Sequence, residues 1–112
     1  MDELPQNIER LRARIPAGVT LLAVTKTVPP ERIDAALAAG ITVFGESKIQ
    51  EAKAKIPAVS ARAQWHFIGH LQTNKAREAV EWFELIHSVD SVKLAGELSK
   101  WAERAGKTQS IL

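Results

Sequence analysis

The stretch Thr20-Leu21-Leu22-Ala23-Val24-Thr25-Lys26-Thr27-Val28-Pro29-Pro30 decides the fold. Its apolar first half, bounded by Gly18 before and Pro29 after, predicts a strand buried on both faces, as in a parallel sheet. Lys26 stands at the C-terminal end of that strand, where sheets of this kind place their chemistry. Partial desolvation of an amine there disfavours the ammonium form, which makes the lysine a usable nucleophile toward an aldehyde. The plainer reading is a strand-end lysine whose stem packs while its head reaches water. Alternation sends Leu22, Val24 and Lys26 to one face and Ala23 and Thr25 to the other.

Working outward, helices and strands alternate. Leu4, Ile8, Leu11 and Ile15 recur at helical spacing before the strand, and Pro16-Ala17-Gly18 stops that pattern. After Pro29-Pro30, Glu31 to Ala39 predicts a helix that buries Ile33, Ala36 and Leu37, with Gly40 as its C-cap. A short strand, Ile41-Thr42-Val43-Phe44-Gly45, leads to a helix striped by Ile49, Ala52 and Ile56, with Ser47 as N-cap and Gln50 three residues on. Trp65-His66-Phe67-Ile68-Gly69 predicts the third strand. A helix capped by Thr73 or Asn74 turns Ala76, Ala79, Val80 and Phe83 inward. Leu85-Ile86-His87-Ser88-Val89 is the fourth strand, and Asp90 or Ser91 opens a long helix aligned on Leu94, Leu98, Trp101 and Ala105 and closed by Gly106. Ser110-Ile111-Leu112 begins a fifth strand. Single helices between strands at close spacing predict right-handed βαβ units and a parallel sheet. The longest candidate loop runs from Pro57 to Gln64.

The totals limit the function classes. With 46% apolar and 25% charged residues among 112, the chain has the composition of one folded unit rather than of a disordered segment. A net charge of +2, interspersed along helices, does not call for an anionic polymer as partner. Lys48, Lys53, Lys55 and Lys75 alternate with acids or lie on expected helix surfaces without an aromatic platform, which argues against nucleic-acid binding. The absence of cysteine removes disulfides, thiolate metal sites and a cysteine nucleophile, and fits a reducing compartment. Neither a signal sequence nor a membrane span is visible, so the expectation is a soluble, cytoplasmic protein.

Four segments then read together: Leu22-Ala23-Val24-Thr25-Lys26-Thr27; Phe44-Gly45-Glu46-Ser47-Lys48-Ile49-Gln50-Glu51; Trp65-His66-Phe67-Ile68-Gly69-His70-Leu71-Gln72-Thr73-Asn74-Lys75; and His87-Ser88-Val89-Asp90. In this order and spacing the chain resembles, from end to end, the pyridoxal phosphate homeostasis proteins, single-domain relatives of the alanine racemase barrel domain. The most specific part is the string from His66 to Lys75. The resemblance implies an α/β fold, a (β/α)8 barrel of the TIM type, with a pyridoxal phosphate cofactor held as a Schiff base on Lys26. It further implies a storage, delivery or buffering role without established turnover, in which apo-enzymes that require pyridoxal phosphate are candidate recipients. Residues 1–112 would form the N-terminal part of that domain, about four and a half βα units, because a closed barrel of this class takes roughly 200 to 250 residues.

The resemblance also sets expectations for the site. Cofactor contacts are expected from Lys26, Ser47 and His66. Where the family usually has Asn, this chain has Ser47, which keeps a hydroxyl but loses the two-donor amide and so weakens a ring contact or routes it through water. His66 either meets the cofactor ring or bridges buried backbone groups. His66 and His70 lie roughly 13 Å apart if both are on a strand, too far to share a metal, so no metal site is expected. Ser47, Thr73 and Asp90 are each explained by helix capping. The helix beginning near Asn74 could present its N–H groups to an anion at the barrel mouth. The resemblance places the Ser, Gly and Arg residues that hold the phosphate beyond the fifth strand, so the isolated amine would react weakly and without selectivity. The alternative function is a racemase-like enzyme. That chemistry commonly uses a tyrosine from another domain as second base, and this sequence has no tyrosine. Open edges on the first and fifth strands predict self-association of the 112-residue chain.

Overall fold

In the computed structural model, which describes residues 4–16 and 18–112, five helices and five strands alternate. Met1 to Glu3 and Ala17, the middle of the predicted Pro16-Ala17-Gly18 stop, lie outside the described residues. The order is α1 (Leu4–Arg14), β1 (Leu22–Val24), α2 (Pro30–Ala38), β2 (Val43–Glu46), α3 (Ile49–Lys55), β3 (Gln64–Phe67), α4 (Ala76–Trp82), β4 (Leu85–Ile86), α5 (Val92–Arg104) and β5 (Ser110–Ile111). Short 3-10 turns cover Ile56–Ala58 and Thr73–Lys75.

The strands form one parallel sheet in the order β1-β2-β3-β4-β5, so each strand pairs with its neighbour in sequence. The register Val24↔Gly45↔His66↔Leu85↔Ser110 defines one row across the sheet. Residues in such a row share a face, and the neighbouring residues of each strand point to the other. That other face carries Phe44, Trp65, Phe67 and Ile86, all buried together with Ile33, Leu37, Ala52, Val80, Leu94 and Leu98 of the helices. Phe44 packs on Trp65 and Phe67 meets Phe83 edge-on, with ring centroids 5.6 and 5.2 Å apart. The core is the layer between sheet and helices.

The row through Val24 has no such cover, and here the structure corrects a sequence expectation. β1 is only partly covered: Leu22 and Ala23 are half-buried, and Val24 is 53% exposed. The sheet forms an open arc of a barrel whose inner face meets solvent, and the chain's radius of gyration is correspondingly 15.0 Å, against roughly 13 Å for a closed domain of this length. Arg12 of α1 donates to the carbonyl of Gly40, which ends α2 at φ 103°, a left-handed conformation suited to glycine.

Three predicted caps are corrected as well. α3 starts after Lys48 rather than Ser47, and α4 follows the 3-10 turn with Lys75 at its N-cap; neither has a side-chain cap bond. Asp90 does not cap α5; Ser91 does, accepting from the Leu94 N–H at 3.0 Å. Thr73 lies in the 3-10 turn before α4.

Candidate functional site

The C-terminal ends of the strands bring the chemistry-bearing residues to one rim. β1 ends at Val24, and Thr25 continues the ladder by donating its N–H to the Gly45 carbonyl at 3.1 Å. Lys26, two residues beyond Val24, stands in the turn that follows the strand; alternation carried on past Val24 would aim it at the open inner face. Its side chain is exposed, and no described residue forms an ion pair or hydrogen bond with it. The partial desolvation expected from the sequence is thus replaced by an accessible amine.

His66 lies on the same inner face of β3, opposite Gly45 of β2 and Leu85 of β4. Two strand spacings separate β1 from β3, about 10 Å. The space above Gly45 is taken by the side chains of Leu22 and Ile68, whose methyls would lie 2.8 and 2.9 Å from a Cβ there. His66 meets His87 instead, with its Nδ1 3.0 Å from His87 Nε2 and the rings tilted by 44°. One imidazole must donate and the other accept, so this contact requires a neutral ring. Burial, and then the neighbouring His87, lower the His66 pKa from 6.5, while Glu84 acts in the opposite direction. His70, by contrast, is exposed beyond β3.

Ser47 follows β2 and is half-buried. With Lys48, Phe67, His70, Gln72 and Lys75 it lines a cleft of about 260 Å³ at the rim. The β2 and β3 ends come so close that a Cβ on Gly69 would stand 2.2 Å from the Ser47 carbonyl oxygen. Only glycine leaves room for that approach. Ser88 also donates to the Gly69 carbonyl, tying the end of β4 to this corner.

Beneath Lys26, on the helix-facing side of the sheet, lies a polar cluster built around Lys55, one of the lysines expected on helix surfaces or among acids. Glu46 is fully buried and Lys55 is 7% exposed. The Lys55 ammonium donates to the Thr25 carbonyl at 2.6 Å and to Glu46 Oε2 at 3.0 Å, with Glu51 Oε1 3.8 Å away. The Thr25 hydroxyl also donates to the Glu46 carboxylate. Glu51 in turn accepts the Thr27 N–H at 3.0 Å. The signal for this cluster was alternation: Glu46 shares the helix-facing side with Phe44, and a carboxylate there needs a buried cation.

The donor set suits an aldehyde-bearing, anionic cofactor. An exposed primary amine stands just past β1, a hydrogen-bonded imidazole pair lies on the concave face, and the rim cleft is bordered by Lys48 and Lys75. No group of three or more His, Cys, Asp or Glu residues among the described residues is arranged to hold a metal ion.

Comparison with known proteins places this geometry in a family. The alanine racemase N-terminal domain family matches residues 1–112. A pyridoxal phosphate homeostasis protein of Synechocystis is 48% identical over 105 residues, which span 92% of this chain and 48% of that protein. One from Pseudomonas aeruginosa is 41% identical over 111 residues, covering 89% of this chain and 48% of its own length. The solved structure of PipY from Synechococcus elongatus with pyridoxal phosphate bound superposes with a TM-score of 0.93 at 42% identity, over 96% of this chain and 52% of PipY. Its structure without the cofactor gives the same TM-score. The chain spans about half the length of these relatives. The architecture is thus a partial TIM-barrel arc, and the chain belongs to the alanine racemase N-terminal domain family.

Proposed function

We propose that residues 1–112 are the lysine-bearing part of a single barrel domain that holds pyridoxal phosphate reversibly, in a cofactor-homeostasis role rather than a catalytic one. The observation that carries this reading is the exposed Lys26 amine at the C-terminal end of β1, in a chain similar to PipY, whose structure holds the cofactor. When bound, pyridoxal phosphate supplies an aldehyde that condenses reversibly with a primary amine and a phosphate that anchors it. Lys26 provides the amine. Ser47 offers a hydroxyl at the adjacent rim, and His66 an imidazole on the concave face.

The same geometry favours holding over turnover. Racemisation needs a second acid-base group on the opposite face of the bound substrate. The sequence has no tyrosine to serve as that group, and the imidazole of His66 is engaged with His87. Release to apo-enzymes, the delivery that homeostasis implies, is part of this proposal.

The test is absorption spectroscopy on a full-length barrel carrying residues 1–112, completed with the half of PipY that this chain does not cover. Mixing with pyridoxal phosphate is expected to produce the band of a lysine adduct, and Lys26→Ala to abolish it. An undiminished band in Lys26→Ala would overturn the assignment.

A further inference from the structure

The segment that presents Lys26 is short, irregular and exposed on one side, yet its backbone is held at both ends. On the N-terminal side, the Thr25 carbonyl accepts from the Lys55 ammonium at 2.6 Å, and the Thr25 N–H reaches the Gly45 carbonyl at 3.1 Å. On the C-terminal side, both carboxylate oxygens of Glu51 face the Thr27 N–H, at 3.0 and 3.3 Å. Glu51 and Lys55 are one helical turn apart on α3, and their head groups stand 3.8 Å from each other. Lys55 is fixed in turn by Glu46, which takes no solvent exposure.

Thr27 has φ 63°, the only positive φ found at a non-glycine residue among those described. A β-branched residue adopts this left-handed conformation only where its surroundings enforce it. The contact on its N–H is the Glu51 carboxylate. The Val28 N–H closes the turn on the Thr25 carbonyl at 2.9 Å, and within it the Thr27 peptide is held by a side chain from another element.

We propose that Glu51 and Lys55 are positioning residues for Lys26: a two-point clamp from α3, anchored by buried Glu46, that fixes the peptides on either side of the lysine and aims its side chain at the concave face. The clamp lies on the opposite side of the sheet from the site and touches neither the cofactor's place nor the amine. It acts through the Lys26 backbone. As a role in cofactor holding it rests on the assignment of Lys26 above, but the clamp itself can be read independently.

The experiment compares the completed barrel described above with its Glu51→Ala, Glu51→Gln and Glu51→Ala/Thr27→Gly variants. Amide hydrogen exchange is followed at Thr27, with the Leu98 amide of α5 as internal reference for global folding. The second readout is the share of borohydride-trapped pyridoxal phosphate found on Lys26 relative to Lys93. Glu51→Ala is expected to speed Thr27 exchange by about tenfold, the loss of one charge-assisted hydrogen bond, with Leu98 unchanged, and to lower the Lys26 share. Glu51→Gln keeps an acceptor and restores both. Thr27→Gly removes the steric cost of the left-handed turn and recovers part of the Lys26 share in the double variant. Unchanged Thr27 exchange in Glu51→Ala, or an unchanged Lys26 share despite faster exchange, would overturn the clamp. Slowed Thr27 exchange with no excess label on Lys26 in the unmodified barrel would instead remove the clamp's functional role together with the cofactor assignment.

Discussion

Replacing Lys55 by methionine tests whether the polar cluster under β1 is a structural keystone. Met preserves most of the aliphatic stem but removes the ammonium that donates to the Thr25 carbonyl at 2.6 Å and to Glu46 Oε2 at 3.0 Å. The Glu46 carboxylate would then stay in a fully buried position with the Thr25 hydroxyl as its remaining partner, since its Oε1 already has none. Breaking a buried pair by removing one member costs about 3–5 kcal/mol, most of it the penalty of the orphaned charge. Against the roughly 5–15 kcal/mol that holds a typical domain together, this is a large fraction. Urea unfolding followed by circular dichroism measures it through the shift in midpoint at constant slope. The cycle is completed with Glu46→Gln and the double variant. Because the double variant no longer buries an unpaired carboxylate, its cost should fall short of the summed single costs by about 1–3 kcal/mol. A Lys55→Met variant within about 0.5 kcal/mol of the parent, the range of an ordinary surface change, would refute the reasoning.

Other parts of the fold make equally definite predictions. Gly69→Ala places a methyl 2.2 Å from the Ser47 carbonyl oxygen, and because backbone must move to admit it, destabilisation of about 1–3 kcal/mol is expected in the same urea assay. For His66, the folded state favours the neutral ring, so its pKa lies below the ordinary 6.5. The unfolded chain takes up that proton first as pH falls, so the His66 contribution is complete above about pH 6.5 and is lost as pH drops through the folded value. His66→Gln should flatten this part of the stability-pH profile, and a ring titrating at or above 6.5 by NMR would contradict the sign. β1 and β5 are the outer strands of the sheet, with unpaired backbone groups along their free sides. Sedimentation of the 112-residue chain should show association rising with concentration; a monodisperse monomer at all concentrations would argue against open edges.

How far the sequence could be read depended on whether each feature was local. The β1 stretch, the Ile33-Ala36-Leu37 stripe and the turn at Gly40 follow from short-range periodicity and punctuation, and the structure shows each of them. Parallel order followed from the alternation of elements. Burial of β1 on both faces did not hold, because that inference presumes a closed barrel interior and the arc leaves Val24 in solvent. Capping by Ser47 failed for a tertiary reason: the chain at Ser47 runs against Gly69, and α3 begins only at Ile49. Lys55 looked like a solvated helix lysine because its partners, Glu46 and Thr25, come from β2 and from the residue just past β1. The His66–His87 contact likewise depends on register between β3 and β4, which no single segment encodes. For Lys26 the local pattern marked the end of β1, and the structure puts it in the turn just past that strand.

We propose that Lys26, among all the lysines of the chain, is the one that holds the cofactor. The most direct test is borohydride reduction of the completed barrel after brief exposure to pyridoxal phosphate, followed by peptide mapping. The label is expected to concentrate on the peptide containing Lys26; label spread evenly over surface lysines such as Lys93 and Lys100, or concentrated on another residue, would overturn the assignment.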